Sequence, residues 1–546
     1  MYRWLTDLSQ QFLERDYLIN GQTVDERVTE ICEAAEKILN KPGFARQFKE
    51  NFQKGWYSFS TPIWTNFGNN RGMPISCYGS YIDDDMQSIL YTLSEVGMMT
   101  KHGGGTSGYF GDVRPRGSKI NNNGESSGSV HFMQLYDNLI SIVSQGKLRR
   151  GNFAAYLPID HKDINEFLSI KNEGNNIQDL SFGVCVSDDW MNDMINGDMA
   201  KRKVWARVLE SRINKGYPYI FFTDTVNKNA PDVYKDKKLK IHCGNLCNEI
   251  NLSTNNEESF VCDLSSMNIL YYDEWKDTNA VELLVYFLDA VMTEFIEKAS
   301  KIKFMERAVN FAKRQRALGM GWLGWHSYLQ SKMISFESME AKMINVDIAR
   351  HMKKQALEAS QKMAKEYGEP ELLKGYGRRN VTLFAIAPTK SSAFILGQVS
   401  EGIEPHRSNF YIKDLQKGKF TVKNKQLEEL LESRGKNNDE TWTSILKNSG
   451  SVQHLEFLTA SEKDVFKTFA EINPMDILVQ ASQRQKYIDQ SQSLNLMIDS
   501  RVPVKELNKL MIEAWKLGIK GLYYQIGVNA AQQLARNITI CSSCES

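Results

Sequence analysis

Asn245-Leu-Cys247-Asn-Glu249 is the stretch on which the reading of this chain turns. An amide, a thiol and a carboxylate alternate there as in a strand or extended loop, which turns Asn245, Cys247 and Glu249 to one side. A structural zinc site has no use for that glutamate. A radical site does: the sulfur takes a hydrogen atom, the carboxylate takes a proton and the amide orients a polar substrate. Further thiols lie outward in both directions. Cys262 follows in Cys262-Asp-Leu-Ser265, and Cys77 comes earlier in Pro74-Ile-Ser76-Cys77. Tyr523-Tyr524 stands ahead of a tail that ends Cys541-Ser-Ser-Cys544-Glu-Ser546. A terminal Cys-x-x-Cys is either half of a metal site or a redox dithiol.

Composition sets the class. The 546 residues are 42% hydrophobic and 24% charged, as in a soluble globular protein. With 67 basic and 66 acidic residues the net charge is +1, which argues against bulk nucleic-acid or membrane-surface binding. The start, Met1-Tyr-Arg-Trp-Leu-Thr-Asp7, is polar and amphipathic and does not read as a signal peptide. The most apolar stretch, Leu283 to Met292, is too short and too charged to span a bilayer. Eight cysteines in such a chain fit a reducing, cytoplasmic setting, where thiols serve catalysis or metal binding.

Periodicity predicts helices over Val24–Leu39, Asp84–Met99, Phe132–Val143, Asn279–Ile302 and Ile344–Tyr367. Val381-Thr-Leu-Phe-Ala-Ile386 reads as a buried strand, and Ile519 to Tyr524 as a weaker one. Residues 411–452 are polar and read as a surface excursion. Strands alternating with helices, without a clear linker, predict one large α/β domain after a helical region over residues 1–55.

Two motifs have plainer readings beside them. Gly103-Gly-Gly105-Thr-Ser-Gly108 matches G-x-G-x-x-G, but a helical pattern precedes it where a dinucleotide site needs a strand. A glycine-lined turn that lets substrate approach is the better reading. Ala387-Pro-Thr389-Lys390-Ser391-Ser392 follows the predicted strand, and its hydroxyls and N–H groups suit either phosphate or an ordinary helix cap. Cys243, Cys247, Cys541 and Cys544, with His242, have spacings compatible with zinc, the alternative to redox chemistry.

Taken together, in order, these strings resemble the large, catalytic subunit of class I ribonucleotide reductase. Asn245-Leu-Cys247-x-Glu249 resembles that family's finger loop with its thiyl-radical cysteine. Cys77 and Cys262 match its redox pair, Tyr523-Tyr524 its radical-transfer tyrosines, and Cys541 and Cys544 its tail dithiol. Thr389, Lys390, Ser391 and Ser392 match its substrate-phosphate segment, although some relatives carry an acidic residue where Lys390 stands. Thr61, Ser76, Gly104 and Gly105 complete the expected substrate site. Ser144 to Gly151, with Arg149 and Arg150, resembles the loop that relays effector identity, and Asp84 and Arg114 are expected in the effector site. Asp489-Gln-Ser-Gln-Ser-Leu-Asn495 and Arg316-Ala-Leu-Gly-Met-Gly321 are further familiar strings.

The resemblance implies a ten-stranded α/β barrel over residues 56–530 with the finger loop inside it, and a redox tail over 531–546. It implies a short form without the regulatory ATP-cone. It further implies reduction of ribonucleoside diphosphates to 2′-deoxyribonucleoside diphosphates by thiyl-radical chemistry. An electron leaves Cys247 through Tyr524 and Tyr523 toward a separate, metal-bearing small (beta) subunit. This chain itself is expected to hold no metal and no tight cofactor. A nucleoside triphosphate, with Mg, is the expected effector, a homodimer the expected assembly, and a thioredoxin- or glutaredoxin-like protein the reductant. A cobalamin-dependent class II reductase is the nearer alternative, but it needs no tyrosine relay. A zinc-organised binding protein is the more distant one.

Overall fold

The computed structural model describes residues 1–19, 21–146, 150–415, 418–499 and 501–527. Five strands run parallel side by side: β1 (Cys77–Tyr81), β2 (Gly105–Tyr109), β3 (Asn152–Pro158), β4 (Ser181–Val186) and β5 (Tyr219–Phe222). They are buried along almost their whole length, and runs such as Tyr-Ile-Phe-Phe in β5 suit a parallel sheet covered on both faces. Strand β6 (Phe260–Asn268) joins β1 in the antiparallel sense, and β7 (Leu318–Leu323) runs parallel to β6.

Three further extended segments complete a ring. The predicted strand 381–386 lies along β7, with a parallel bridge between Met320 and Phe384 and main-chain bonds from Leu318 to Thr382 and from Met320 to Leu383. It does not form a continuous ladder on its outer side: Ile386 makes a parallel bridge to Gln492, but the Leu383 and Phe384 amides donate to the Asp489 carboxylate at 2.7 and 3.1 Å. Residues 494–498 then meet 523–527, with Leu496–Ile498 parallel to Gln525–Gly527. Gly521–Leu522 closes the ring against β5 in the antiparallel sense. Seven strands and three segments thus give the expected ten-stranded barrel, built as two parallel five-stranded halves that oppose each other at both seams.

The chain between β5 and β6 threads the interior. The Tyr156 hydroxyl on β3 donates to the Asn245 carbonyl at 2.7 Å. Asn248 Nδ2 donates to the carbonyls of Ile220 on β5 and Leu522 at 3.1 and 3.2 Å. From the other half, the Ser491 amide donates to the Glu249 carbonyl at 2.8 Å. The loop is therefore held by both halves of the barrel.

The predicted helices are present with modest shifts at their ends. Val24–Leu39 is closed at its start by a Thr23/Glu26 capping box and at its end by Asn40 in the left-handed region. Met86–Lys101, Ser129–Ile142 and Ala280–Ala299 match the other expectations within a few residues. Met339–Tyr367 starts five residues earlier than its apolar pattern suggested, because Ser338 caps it by accepting from the Ala341 amide. The described residues of 1–55 hold three helices, and the buried Arg27 ties them to the chain that follows through the carbonyls of Ile63, Trp64 and Phe67. Asp289, which interrupts the most apolar stretch, is buried against Arg316 and Arg379 at 2.7 and 2.8 Å.

The polar stretch 411–452 is more than a surface excursion. A hairpin pairs Phe410–Leu415 with Gly418–Lys423, and two helices follow. Phe410, Leu427, Leu431, Trp442, Ile445 and Phe466 are among the residues that bury a second, smaller core beneath it. Ten buried apolar residues spread among many charges build this lobe, which composition by itself hides.

Candidate active site

A cleft of ≈ 120 Å³ opens where β1 and β2 begin. It gathers most of the predicted residues: Asn245, Cys247 and Glu249 from the interior loop, Ser76, Cys77 and Gly105 at the strand starts, Thr61, and Thr389 to Ser392. Gly104 is not among them. It is buried behind the cleft, where an added Cβ would come within 2.8 Å of the Met99 carbonyl and Tyr78. The glycine-rich run follows a helix and leads into β2, the reverse of a dinucleotide-binding turn.

The interior loop does not use strand alternation to aim its three side chains. Residues 245–248 form a turn, with the Asn248 amide donating to the Asn245 carbonyl at 3.2 Å and Asn248 at φ +64°. The turn needs glycine around it: a Cβ at Gly521 would come within 2.6 Å of Asn248 Nδ2, and one at Gly244 within 2.7 Å of Asn248 Oδ1.

Cys77 and Cys262 are Cα partners across the β1/β6 seam. Neither is disulfide-bonded. Cys77 faces the cleft, with Asn245 Nδ2 3.8 Å from its sulfur. Cys262 is buried behind it, with Gln490 Nε2 3.4 Å from its sulfur. Burial pushes the Cys262 thiol well above its ordinary value, and nearby Cys77 adds to this.

Burial likewise raises the Glu249 carboxyl to about 7, against hydrogen bonds from Ser493 and Asn245 that lower it. The group is poised to exchange a proton near neutrality. Ser493 Oγ lies 2.9 Å from Glu249 Oε2 and 2.8 Å from the Cys247 carbonyl. One hydroxyl hydrogen serves only one acceptor. Ionised Glu249 takes that hydrogen. Protonated Glu249 donates to Ser493, which then turns to the Cys247 carbonyl. Ser493 was visible only as part of a familiar string with no role attached.

Thr389, in the left-handed region at φ +55°, starts the short helix Lys390–Ile395. Its hydroxyl accepts from the Gly402 amide at 2.7 Å, and the Ser392 hydroxyl donates to the Phe59 carbonyl at 3.1 Å. Lys390 and Ser391 face the cleft beside amides that a first helical turn leaves without intrahelical acceptors. Ser58, Ser60, Ser265 and Ser266 also line the cleft and were missed; serines scattered among apolar residues give no local signal.

Tyr523 and Tyr524 are buried with ring centroids 4.2 Å apart. Asn248, next to Cys247, bonds to Leu522, next to Tyr523, so the tyrosine pair is tied to the loop that carries the cysteine. Asp84 and Arg114 meet in an ion pair of 2.7 Å, and the Arg114 amide donates to Asp84 at 3.0 Å. They follow the C-terminal ends of β1 and β2, whereas the cleft lies at the opposite ends. Five-residue strands separate this ion pair from the cleft by roughly 16 Å. Arg150 is exposed. Arg149, Cys541 and Cys544 lie outside the described residues. Among the described residues no three His, Cys, Asp or Glu side chains come together as a metal site, and Cys243 is buried while Cys247 lines the cleft. No helix among them is long and apolar enough to cross a membrane.

The model of the ribonucleotide reductase barrel domain matches residues 75–201, 193–373 and 370–525. The putative ribonucleoside-diphosphate reductase large subunit of Frog virus 3 is 38% identical over 90% of this chain and 89% of its own length. The ribonucleoside-diphosphate reductase large subunit of Invertebrate iridescent virus 3 is 32% identical over 88% of this chain and 87% of its own. The solved class Id ribonucleotide reductase alpha subunit of Actinobacillus ureae superposes with a TM-score of 0.93, at 51% identity over 99% of both chains. That neighbour favours class I over the cobalamin-dependent alternative. With the barrel, the interior loop and the paired cysteines all in place, this chain belongs to the ribonucleotide reductase family, as a large, catalytic subunit of class I.

Proposed function

We propose that Cys247 carries the thiyl radical that takes the 3′-hydrogen of the substrate ribose. The reaction is the reduction of ribonucleoside diphosphates to their 2′-deoxy counterparts. Glu249 accepts the 3′-hydroxyl proton while Asn245 holds the sugar. The 2′-hydroxyl departs as water and a hydrogen takes its place at C2′; Cys77 and Cys262 supply the two protons and two electrons and become a disulfide. The observation that carries this assignment is the meeting of four groups in one cleft: Cys247, Glu249, Asn245 and Cys77, the half-buried member of the cysteine pair.

Thr389 to Ser392 hold the diphosphate, with Thr61, Ser76 and Gly105 around the rest of the nucleotide. Tyr523 is the station nearer Cys247 and Tyr524 the outer one, the reverse of the order expected from the sequence. Two contacts support this: Tyr523 adjoins the residue bonded to the interior loop, and the Tyr524 hydroxyl meets a half-buried side chain. The oxidant is a metal-borne radical on a separate small subunit. Asp84 and Arg114 bind a nucleoside triphosphate, with Mg, at a homodimer contact, and Arg149 and Arg150 transmit its identity. The Cys541/Cys544 dithiol reduces the Cys77–Cys262 disulfide and is renewed by a thioredoxin- or glutaredoxin-like protein in the cytoplasm.

The test is turnover with a cognate small subunit, each nucleoside diphosphate being paired with each effector. Product formed by wild type but not by Cys247→Ser or Cys77→Ser, with substrate binding kept, is the expected result. Multiple turnover by Cys247→Ser overturns the assignment.

A further inference from the structure

Gly216-Tyr217-Pro218-Tyr219 leads into β5 and sets two more tyrosines against Tyr523 and Tyr524. Tyr219 packs on both, with centroids 4.7 Å from Tyr523 and 5.2 Å from Tyr524. It is fully buried and reaches no surface. Tyr217 is different. Its hydroxyl oxygen lies 2.8 Å from that of Tyr524, and its ring stands edge-on to the Tyr524 ring at 5.0 Å. It is half-buried, whereas the other three rings are buried. Phe182 stacks on one side of it at 5.4 Å and 12°, and the Lys171 ammonium lies 5.4 Å from its ring centre. The Ser181 hydroxyl is 3.3 Å from the Tyr217 hydroxyl. The tyrosine cluster therefore reaches the protein surface through Tyr217.

Arg212 fixes the chemistry such a cluster can perform. It is buried at 0% exposure and donates to the carbonyls of Pro218 and Tyr523 at 2.5 and 3.0 Å. Its Nε and Nη2 are buried without a hydrogen-bond partner among the described residues. A buried positive charge beside the rings disfavours a cationic phenol radical. An oxidised tyrosine here must lose its proton together with its electron. A direct hydroxyl-to-hydroxyl contact meets that requirement.

We propose that Tyr217 is a third redox station of this subunit, the outermost one, which passes the oxidising equivalent between the surface and Tyr524. This rests on the reading of Tyr523 and Tyr524 as a relay. The Tyr217 hydroxyl gives up one electron and one proton to the oxidant that the small subunit would supply. The Tyr217 phenoxyl then takes a hydrogen atom from Tyr524. The Tyr524 O–H bond breaks, the Tyr217 O–H bond forms again, and the unpaired electron resides on Tyr524. After turnover the same two transfers run backwards.

3-Aminotyrosine is oxidised more easily than tyrosine and traps a migrating radical. It is placed at position 217, and separately at 524, in the full chain. Each protein is mixed with small subunit, substrate and effector and read by electron paramagnetic resonance. The expected result is an aminotyrosyl radical at both positions, with matching loss of the small subunit's oxidised cofactor. Tyr217→Phe should lower kcat on the order of 10²-fold at unchanged KM. Trapping at 524 but not at 217, or near-wild-type kcat in Tyr217→Phe, overturns the third station and leaves the two-tyrosine relay standing. Trapping at neither position overturns both.

Discussion

Cys77 on β1 and Cys262 on β6 stand directly opposite each other across the antiparallel seam of the barrel, yet only Cys77 reaches the cleft. Residues so placed have Cα atoms about 4.5–5.5 Å apart, within the span a disulfide bridges. A disulfide between them would therefore form without moving either strand. Exchange requires an attacking thiolate to reach a sulfur in line, and only the Cys77 sulfur is open to such an approach.

A tail with a single thiol should accordingly be caught on Cys77. In Cys544→Ser or Cys541→Ser, the remaining tail thiol is expected to form a mixed disulfide with Cys77, read by peptide mapping after one turnover. The same variants should stop turning over with a thioredoxin-type donor but retain activity with dithiothreitol. Mapping to Cys262 would contradict the accessibility argument, and equal loss with both reductants would contradict the tail shuttle.

Glu249 must be ionised to accept a proton, and its carboxyl titrates near 7. In wild type kcat/KM should fall as pH drops through about 7. Ser493 lowers that value by hydrogen bonding. Ser493→Ala should therefore move the acid limb to higher pH. Glu249→Gln should lose about 10²–10⁴-fold in kcat and show no such limb. A wild-type acid limb that is unchanged in Ser493→Ala would separate this serine from the titration.

Cys247→Ser should abolish turnover while leaving nucleotide affinity within about twofold. An alcohol O–H is too strong to replace the thiol as a radical carrier. Equilibrium binding of a nucleoside diphosphate, measured beside turnover, checks both halves of the statement.

Asp289 tests the barrel wall rather than the chemistry. Burial would raise its pKa, but Arg316 and Arg379 hold it below the ordinary value. Arg316→Met leaves a buried carboxylate short of its partner and should cost about 3–5 kcal/mol, seen as a lower urea midpoint at pH 7. A group with a depressed folded pKa stabilises the fold above its unfolded value and loses that contribution as pH falls through the folded one. The gap between variant and wild type should narrow below about pH 4. A gap that stays constant on acidification would place the cost in packing instead.

The long helices were legible because their signals are local. Val24–Leu39 carries its apolar spacing, its capping box and its stop within twenty residues. The strand over 381–386 was legible as an apolar run, but its interrupted ladder was not, because that depends on residues 489–493 on the far side of a lobe. The lobe itself was read as a polar excursion, since the apolar residues of its core are spread from Phe410 to Phe466.

The thiols, amide and carboxylate that line the cleft could be named as candidates from the sequence, because such groups in a fixed order are scarce and specific. Three things needed the fold. The register that pairs Cys77 with Cys262 is set by hydrogen bonding between strands far apart in the chain. The near-neutral Glu249 follows from burial, which belongs to the assembled barrel and not to any segment. The contact between the Tyr217 and Tyr524 hydroxyls exists only because the ring of strands closes β5 onto the last segment of the barrel. Residue type and spacing specify what a side chain can do. Strand pairing and desolvation are non-local, and they decide which side chains meet and in which protonation state.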